Sequence, residues 1–143
     1  MAARTLSLYT FLLTLVLALG ACKKDDFANE TVKELSDLTD EIVKKVKDAS
    51  DKKAGVAEAQ KALDAKKGDL TAKMKEIGQL RGFQLSEEAQ GNVAKGIIDA
   101  TSKISQLEID LLTATMSDKE LETAVDKLTK DHKSIIDALS EGA

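Results

Sequence analysis

The 143-residue chain has no proline, no tryptophan, a single cysteine, a single histidine, one tyrosine and three phenylalanines. Sugar platforms, stacked bases and proline-rich peptide grooves all depend on aromatic faces, so this composition argues against each of them. One cysteine cannot form a disulfide within the chain. One histidine, His132, leaves too few ligands for zinc. Carboxylate-bridged metal sites in helical bundles need Glu-x-x-His pairs, and the residue three before His132 is Thr129. Asp131 and Ser134 flank the histidine only as helix neighbours pointing elsewhere, which does not build a nucleophilic triad. Gly78 and Gly82 are not followed by the lysine and hydroxyl pair of a phosphate loop. The expectation is a chain that is not an enzyme and holds no cofactor and no metal.

What is present is alanine, leucine, lysine, glutamate and aspartate. Hydrophobic residues make up 43% of the chain and charged ones 32%, without the β-branched and aromatic runs that strands require. With no proline to break a helix, the fold class is read as all-α.

The first 22 residues differ from the rest. Met1 to Thr5 carries one positive charge, at Arg4, and Leu6 to Leu19 is almost wholly apolar; the small pair Gly20 and Ala21 then precedes Cys22. These are the three parts of an export signal. About 14 apolar residues at 1.5 Å rise cover about 21 Å, short of the roughly 30 Å hydrocarbon core, which argues against an uncleaved membrane span. The stretch Leu19, Gly20, Ala21, Cys22 resembles the lipobox of bacterial lipoprotein precursors. The resemblance implies cleavage between Ala21 and Cys22, diacylglycerol on the Cys22 thiol, and attachment to a membrane through acyl chains. It places the protein in the bacterial cell envelope. Lys23 stands where such lipoproteins carry an aspartate when they stay at the inner membrane, so the outer membrane is favoured, with the domain facing the periplasm or the cell surface.

Removal of residues 1–21 takes Arg4 with it, so 21 basic residues become 20 against 25 acidic ones, a formal charge of −5. A net acidic surface does not seek nucleic acid. The organisation read from the sequence is a signal peptide over 1–21, an acylated N-terminus and short tether over 22–29, and a helical domain over 30–143.

Four amphipathic stretches follow, at about 30–53, 56–80, 87–115 and 118–140. In the first, Val32, Leu35, Leu38, Ile42, Val43, Val46 and Ala49 fall on one face; Thr31 with Glu34 forms a capping box, Asn29 is an alternative cap, and Gly55 can close the helix. The second carries Val56, Ala59, Leu63, Leu70, Ile77 and Leu80, but Lys66 and Lys73 interrupt the stripe, and Gly68 and Gly78 each weaken it by about 1 kcal/mol. It is expected to be the loosest helix, with a three-helix core and a partly detached second helix as the alternative. Phe83 and Leu85 are expected to fold over the bundle tip. Ser86 with Glu87 and Glu88 starts the third, which is expected to bury Val93, Ile97, Ile98, Ile104, Leu107, Leu111 and Leu112. Gly96 in it is either a flaw or a point of close approach. Ser117 with Glu120 caps the fourth, whose Leu121, Val125, Leu128, His132, Ile135 and Leu139 form an uninterrupted heptad seam. Connections of about two to seven residues predict that each helix returns beside the previous one, giving an up-down-up-down four-helix bundle.

His132 lies on the apolar seam, and Met74 is expected at a similar height on the second helix. A histidine and a methionine converging inside a bundle resemble the haem ligation of periplasmic bundle cytochromes, which makes a ligand or haem carrier the alternative function. The chain lacks a methionine at the start of its first mature helix, where those proteins place it. The preferred reading is a non-enzymatic helical lipoprotein with a structural or protein-interaction role, whose partner is another envelope protein. A third reading is self-association through the seam of the fourth helix.

Overall fold

All regular structure among the described residues is α-helical, in four segments: α1 (Ala2–Asp48), α2 (Lys52–Gln79), α3 (Glu87–Ser117) and α4 (Lys119–Glu141). The computed structural model describes the backbone of residues 2–80 and 84–142, and the side chains of residues 24–80 and 84–142. The expected signal peptide, the Ala21–Cys22 cleavage point and the acylation of Cys22 fall outside the residues whose side chains are described. The placement of Phe83 over the tip falls outside them as well. Among the described residues, no helix is long and apolar enough to cross a membrane.

The starts of α2 and α4 fall on aspartates, and only α3 begins at its expected cap. α1 runs straight through Asn29, Thr31 and Glu34, because their side chains serve packing instead. Thr31 Oγ1 donates back to the Phe27 carbonyl at 2.8 Å, Asn29 accepts from Asn92 of α3 at 3.1 Å, and Glu34 accepts from Lys73 of α2 at 2.7 Å. Packing also begins before residue 30: Ala28 is fully buried, and Asp25 accepts the Ser86 backbone N–H at 2.9 Å. Gly55 does not close α1. The turn lies at 49–51, where Asp51 caps α2 by accepting from Lys53 N at 2.9 Å, and Gly55 is buried in the first turn of α2. Lys52 reaches back from α2 to the Val46, Lys47 and Ala49 carbonyls at 2.9–3.1 Å, placing a cation on the negative end of α1. Ser86 caps α3 as expected, accepting from Ala89 N at 3.1 Å. For α4 the cap is Asp118 rather than Ser117; its carboxylate accepts from Glu120 N and Leu121 N, each at 3.0 Å. A carboxylate one residue later wins because it carries a full negative charge to the positive helix end.

Cross-helix contacts fix the arrangement. Asp25, Asn29, Asp40 and Lys47 of α1 meet Ser86, Asn92, Lys103 and Asp110 of α3 in the same order, so these two helices run in the same direction. Lys53, Lys67 and Gly78 of α2 likewise meet Glu120, Asp131 and Leu139 of α4 in order. α1 and α2 run oppositely, with Glu34 against Lys73 and Glu41 against Lys66. Around the bundle the order is α1, α2, α4, α3, and the backbones of α2 and α3 do not approach each other. The expectation that every helix packs beside its predecessor therefore fails at one step. Connections at 49–51 and at Asp118 are too short for anything but a hairpin, whereas the seven residues 80–86 can reach about 23 Å and cross to the diagonal position.

The core comprises Leu35, Leu38, Ile42, Leu63, Leu70, Met74, Leu107, Leu128 and Ile135, all at most 2% exposed. α2 is not the loose helix. It packs against both α1 and α4 through Val56, Ala59, Leu63, Leu70, Met74 and Ile77. Its small residues permit close backbone approach: a Cβ at Gly55 would lie 2.6 Å from Ala49 Cβ, and one at Gly78 would overlap the Leu139 carbonyl oxygen. Lys66 and Lys73 do not spoil the stripe, because they extend to Glu41 and to Glu34 with Asp69 at the surface. Gly96 is a close approach, since a Cβ there would collide with Val32 Cγ1 of α1. Nothing lies within 4 Å of a Cβ built at Gly68. Gly68→Ala is accordingly expected to stabilise the protein by about 1 kcal/mol, read as a higher urea midpoint with an unchanged slope.

Candidate interaction face

α3 carries more apolar side chains than its inward face accommodates. Val93, Ala100, Ile104, Leu107 and Leu111 are buried, but Ile98 is 66% exposed, Ile109 64%, Leu112 58% and Met116 79%. This corrects the expectation that Ile98 and Leu112 lie in the core. Neighbouring residues on a helix point 100° apart, so in the pairs Ile97–Ile98 and Leu111–Leu112 only one member of each can face inward. The outward members are not scattered. Ile98, Ser102, Ser105, Ile109, Leu112 and Met116 recur in steps of four and three, a second heptad seam on the outside of the bundle with no charged residue in it. Two such seams on one chain were not distinguishable by periodicity alone. The excess of large apolar residues on a single helix was the available signal.

Beside this seam, α3 and α4 leave a groove of about 410 Å³ whose wall combines Ile104, Ile136 and His132 with the hydroxyls of Thr101, Ser105 and Thr129 and the charged Glu108, Lys130, Lys133 and Asp137. Ser105 belongs both to the groove wall and to the exposed seam, so the two form one continuous face.

His132 is buried, 1% exposed. Its Nε2 lies 2.8 Å from Thr39 Oγ1 of α1, and the Thr39 hydroxyl donates to the Leu35 carbonyl at 2.7 Å. The Thr39 proton is thus committed, and its oxygen accepts from the Nε2–H of a neutral imidazole. This hydrogen bond joins the diagonal helices α1 and α4 through the core. Burial pushes the His132 pKa down from 6.5 to about 4. Met74 is fully buried on α2 and is not part of the groove wall that His132 lines. His132 Nε2 is already engaged by Thr39. No cluster of three His, Cys, Asp or Glu side chains suited to a metal ion occurs among the described residues.

On the other side of α4, Asp131 accepts from Lys127 and Lys67, each at 2.7 Å, and from Gln60 at 2.9 Å. The hydrogen bond from Lys127, followed by those from Lys67 and Gln60, holds this carboxyl well below the usual carboxylate range. Three donors on one acid satisfy one another and leave no reactive group. The arrangement ties α2 to α4.

Of the other expected α4 seam residues, Leu121, Val125, Leu128 and Ile135 are buried against the chain's own helices, while at the end of the seam Ala138 is buried and Leu139 only partly so. Comparison with protein-family models, with curated proteins and with solved structures returns no match.

Proposed function

We propose that the chain is a non-enzymatic lipoprotein of the bacterial cell envelope: an up-down-up-down four-helix bundle, released from a signal peptide and held on a membrane, with the outer membrane favoured, by acyl chains on Cys22. The single observation that carries this reading is the order of the first 22 residues, an apolar run closed by Leu19, Gly20, Ala21 and the chain's sole cysteine. Two acyl chains, at about 0.8 kcal/mol per buried methylene, anchor a protein for far longer than one chain can. The bundle supports the reading because, among the residues whose side chains are described, a buried core runs from Ala28 to Ala138 within the expected mature chain. Its role is that of a structural or interaction module, and the outer face of α3 with the adjoining groove is the surface it offers. An exposed uncharged apolar seam on an otherwise charged helical surface is the feature that marks a contact site.

Fractionation of cells producing the full chain tests the anchor. The protein is expected in the membrane pellet after a high-salt wash, and Cys22→Ser is expected to leave that pellet. A wild-type chain recovered in the soluble fraction, or a Cys22→Ser chain still held by the membrane, would overturn the reading.

A further inference from the structure

We infer that the occupant of the α3 seam is a second copy of this chain, docked as a parallel α3–α3 pair. The inference deepens the interaction role given to α3 above and does not depend on acylation of Cys22. Three observations select this occupant. In the heptad set by the steps, Ile98, Ser105 and Leu112 take the d positions and Ser102, Ile109 and Met116 the a positions. Isoleucine at a followed by leucine at d is the pattern that favours two parallel strands, and Ile109 with Leu112 supplies it in the middle of the exposed stretch. The flanking residues agree with the parallel arrangement. There Thr101 would face Gln106 of the other copy and Glu108 would face Thr113, with no like charges opposed, whereas antiparallel pairing of the same seam sets Glu108 against its own counterpart.

The third observation is size. The seam from Ile98 to Met116 is about 27 Å long. Its four large side chains are 58–79% exposed, which amounts to on the order of 500 Å² per copy, so two copies would cover about 1,000 Å², the lower limit for a specific interface. The pair is therefore weak in dilute solution and is favoured wherever copies are concentrated, as on a shared surface. Ser105 belongs to both the seam and the groove wall, so the partner helix borders the groove at that residue.

Cysteine cross-linking of the full chain tests the pairing. In a parallel pair Ser105 lies opposite Ser105, close enough for a disulfide. Ser105→Cys is expected to yield a covalent dimer under mild oxidation in cells, while Asp126→Cys, on the exposed face of α4, stays monomeric. Adding Ile109→Asp and Leu112→Asp to Ser105→Cys should reduce the dimer at least tenfold. Both positions are exposed, so circular dichroism and the melting temperature of the variant should match those of the parent. A Ser105→Cys chain that stays monomeric, or one that links to a protein of different mass, would overturn the proposal. Mixed chains in which Ser102→Cys links to Leu112→Cys, while Ser105→Cys does not link to itself, would overturn the parallel register. These outcomes are separable from the fractionation result when the parent chain is oxidised alongside, because any dimer formed through an unacylated Cys22 appears in the parent and in Asp126→Cys as well, whereas the α3 pair adds dimer only in Ser105→Cys.

Discussion

Acidification from pH 7 to pH 4 is expected to lower the stability of the bundle by about 3 kcal/mol through His132 alone. In the folded protein burial holds this histidine's pKa down at about 4, against 6.5 when exposed. Below pH 6.5 the unfolded chain binds a proton that the folded chain does not, so the contribution is complete above that pH and is lost as pH falls toward 4. Protonation also places a charge on a buried ring whose hydrogen-bond partner, Thr39, is uncharged. Urea midpoints measured at intervals across this range should slope downward with acid. His132→Leu should flatten the slope between pH 6.5 and 4. Asp131 contributes in the same direction but in a different window. Its carboxyl is held low by Lys127, Lys67 and Gln60, so its contribution stays intact above about pH 4 and is lost below it. Asp131→Asn should leave the upper limb in place and diminish the lower one. A midpoint that is flat between pH 6.5 and 4.5 in the wild-type chain would show that His132 is not buried as described.

Gly78→Ala is expected to destabilise the protein by about 3 kcal/mol, enough to lower the melting temperature by about 10 °C. On helix propensity alone the substitution should stabilise α2 by about 1 kcal/mol. Packing decides the sign, because the added methyl overlaps the Leu139 carbonyl oxygen and would lie 3.2 Å from the Gly142 Cα. Backbone atoms of α4 cannot rotate out of the way as a long side chain could, so the two helices must separate and the contacts of Met74 and Ile77 are strained with them. Gly142 mirrors the arrangement, since a Cβ there overlaps the Lys75 carbonyl. The contrast with Gly68→Ala, in the same helix with open space around it, removes propensity as an explanation. Thermal melts of the two variants should move in opposite directions; a Gly78→Ala chain as stable as wild type would contradict the close crossing of α2 and α4.

Much of the fold can be read from residue spacing. The α4 seam of Leu121, Val125, Leu128, His132 and Ile135 is buried as its heptad requires, and Ser86 with its two following glutamates starts α3. Other features were decided by competitors of similar strength. Asn29, Thr31 and Ser117 all have side chains able to cap, yet helix continuation at the first two and Asp118 at the third prevail. The hairpin between α1 and α2 turns on Asp51 rather than on Gly55, whose lack of a side chain is used for contact with Ala49. Long-range arrangement was less legible still. A connection of seven residues permits either a neighbouring or a diagonal helix, and only the ordered pairs from Asp25–Ser86 to Lys47–Asp110 reveal that α3 lies beside α1. The exposed α3 seam was hidden for a related reason: an apolar heptad has the same spacing whether its partner belongs to the same chain or to another.

The proposed acyl anchor on Cys22 is the premise from which the proposed address proceeds. Its most direct test is the mass of the N-terminal peptide from protein extracted from the membranes of the producing bacterium. The account predicts a chain beginning at Cys22 and heavier than the bare peptide by a diacylglyceryl group, with or without a further acyl chain on the amino group. A free Cys22 thiol, or a peptide that still carries residues 1–21, would contradict it.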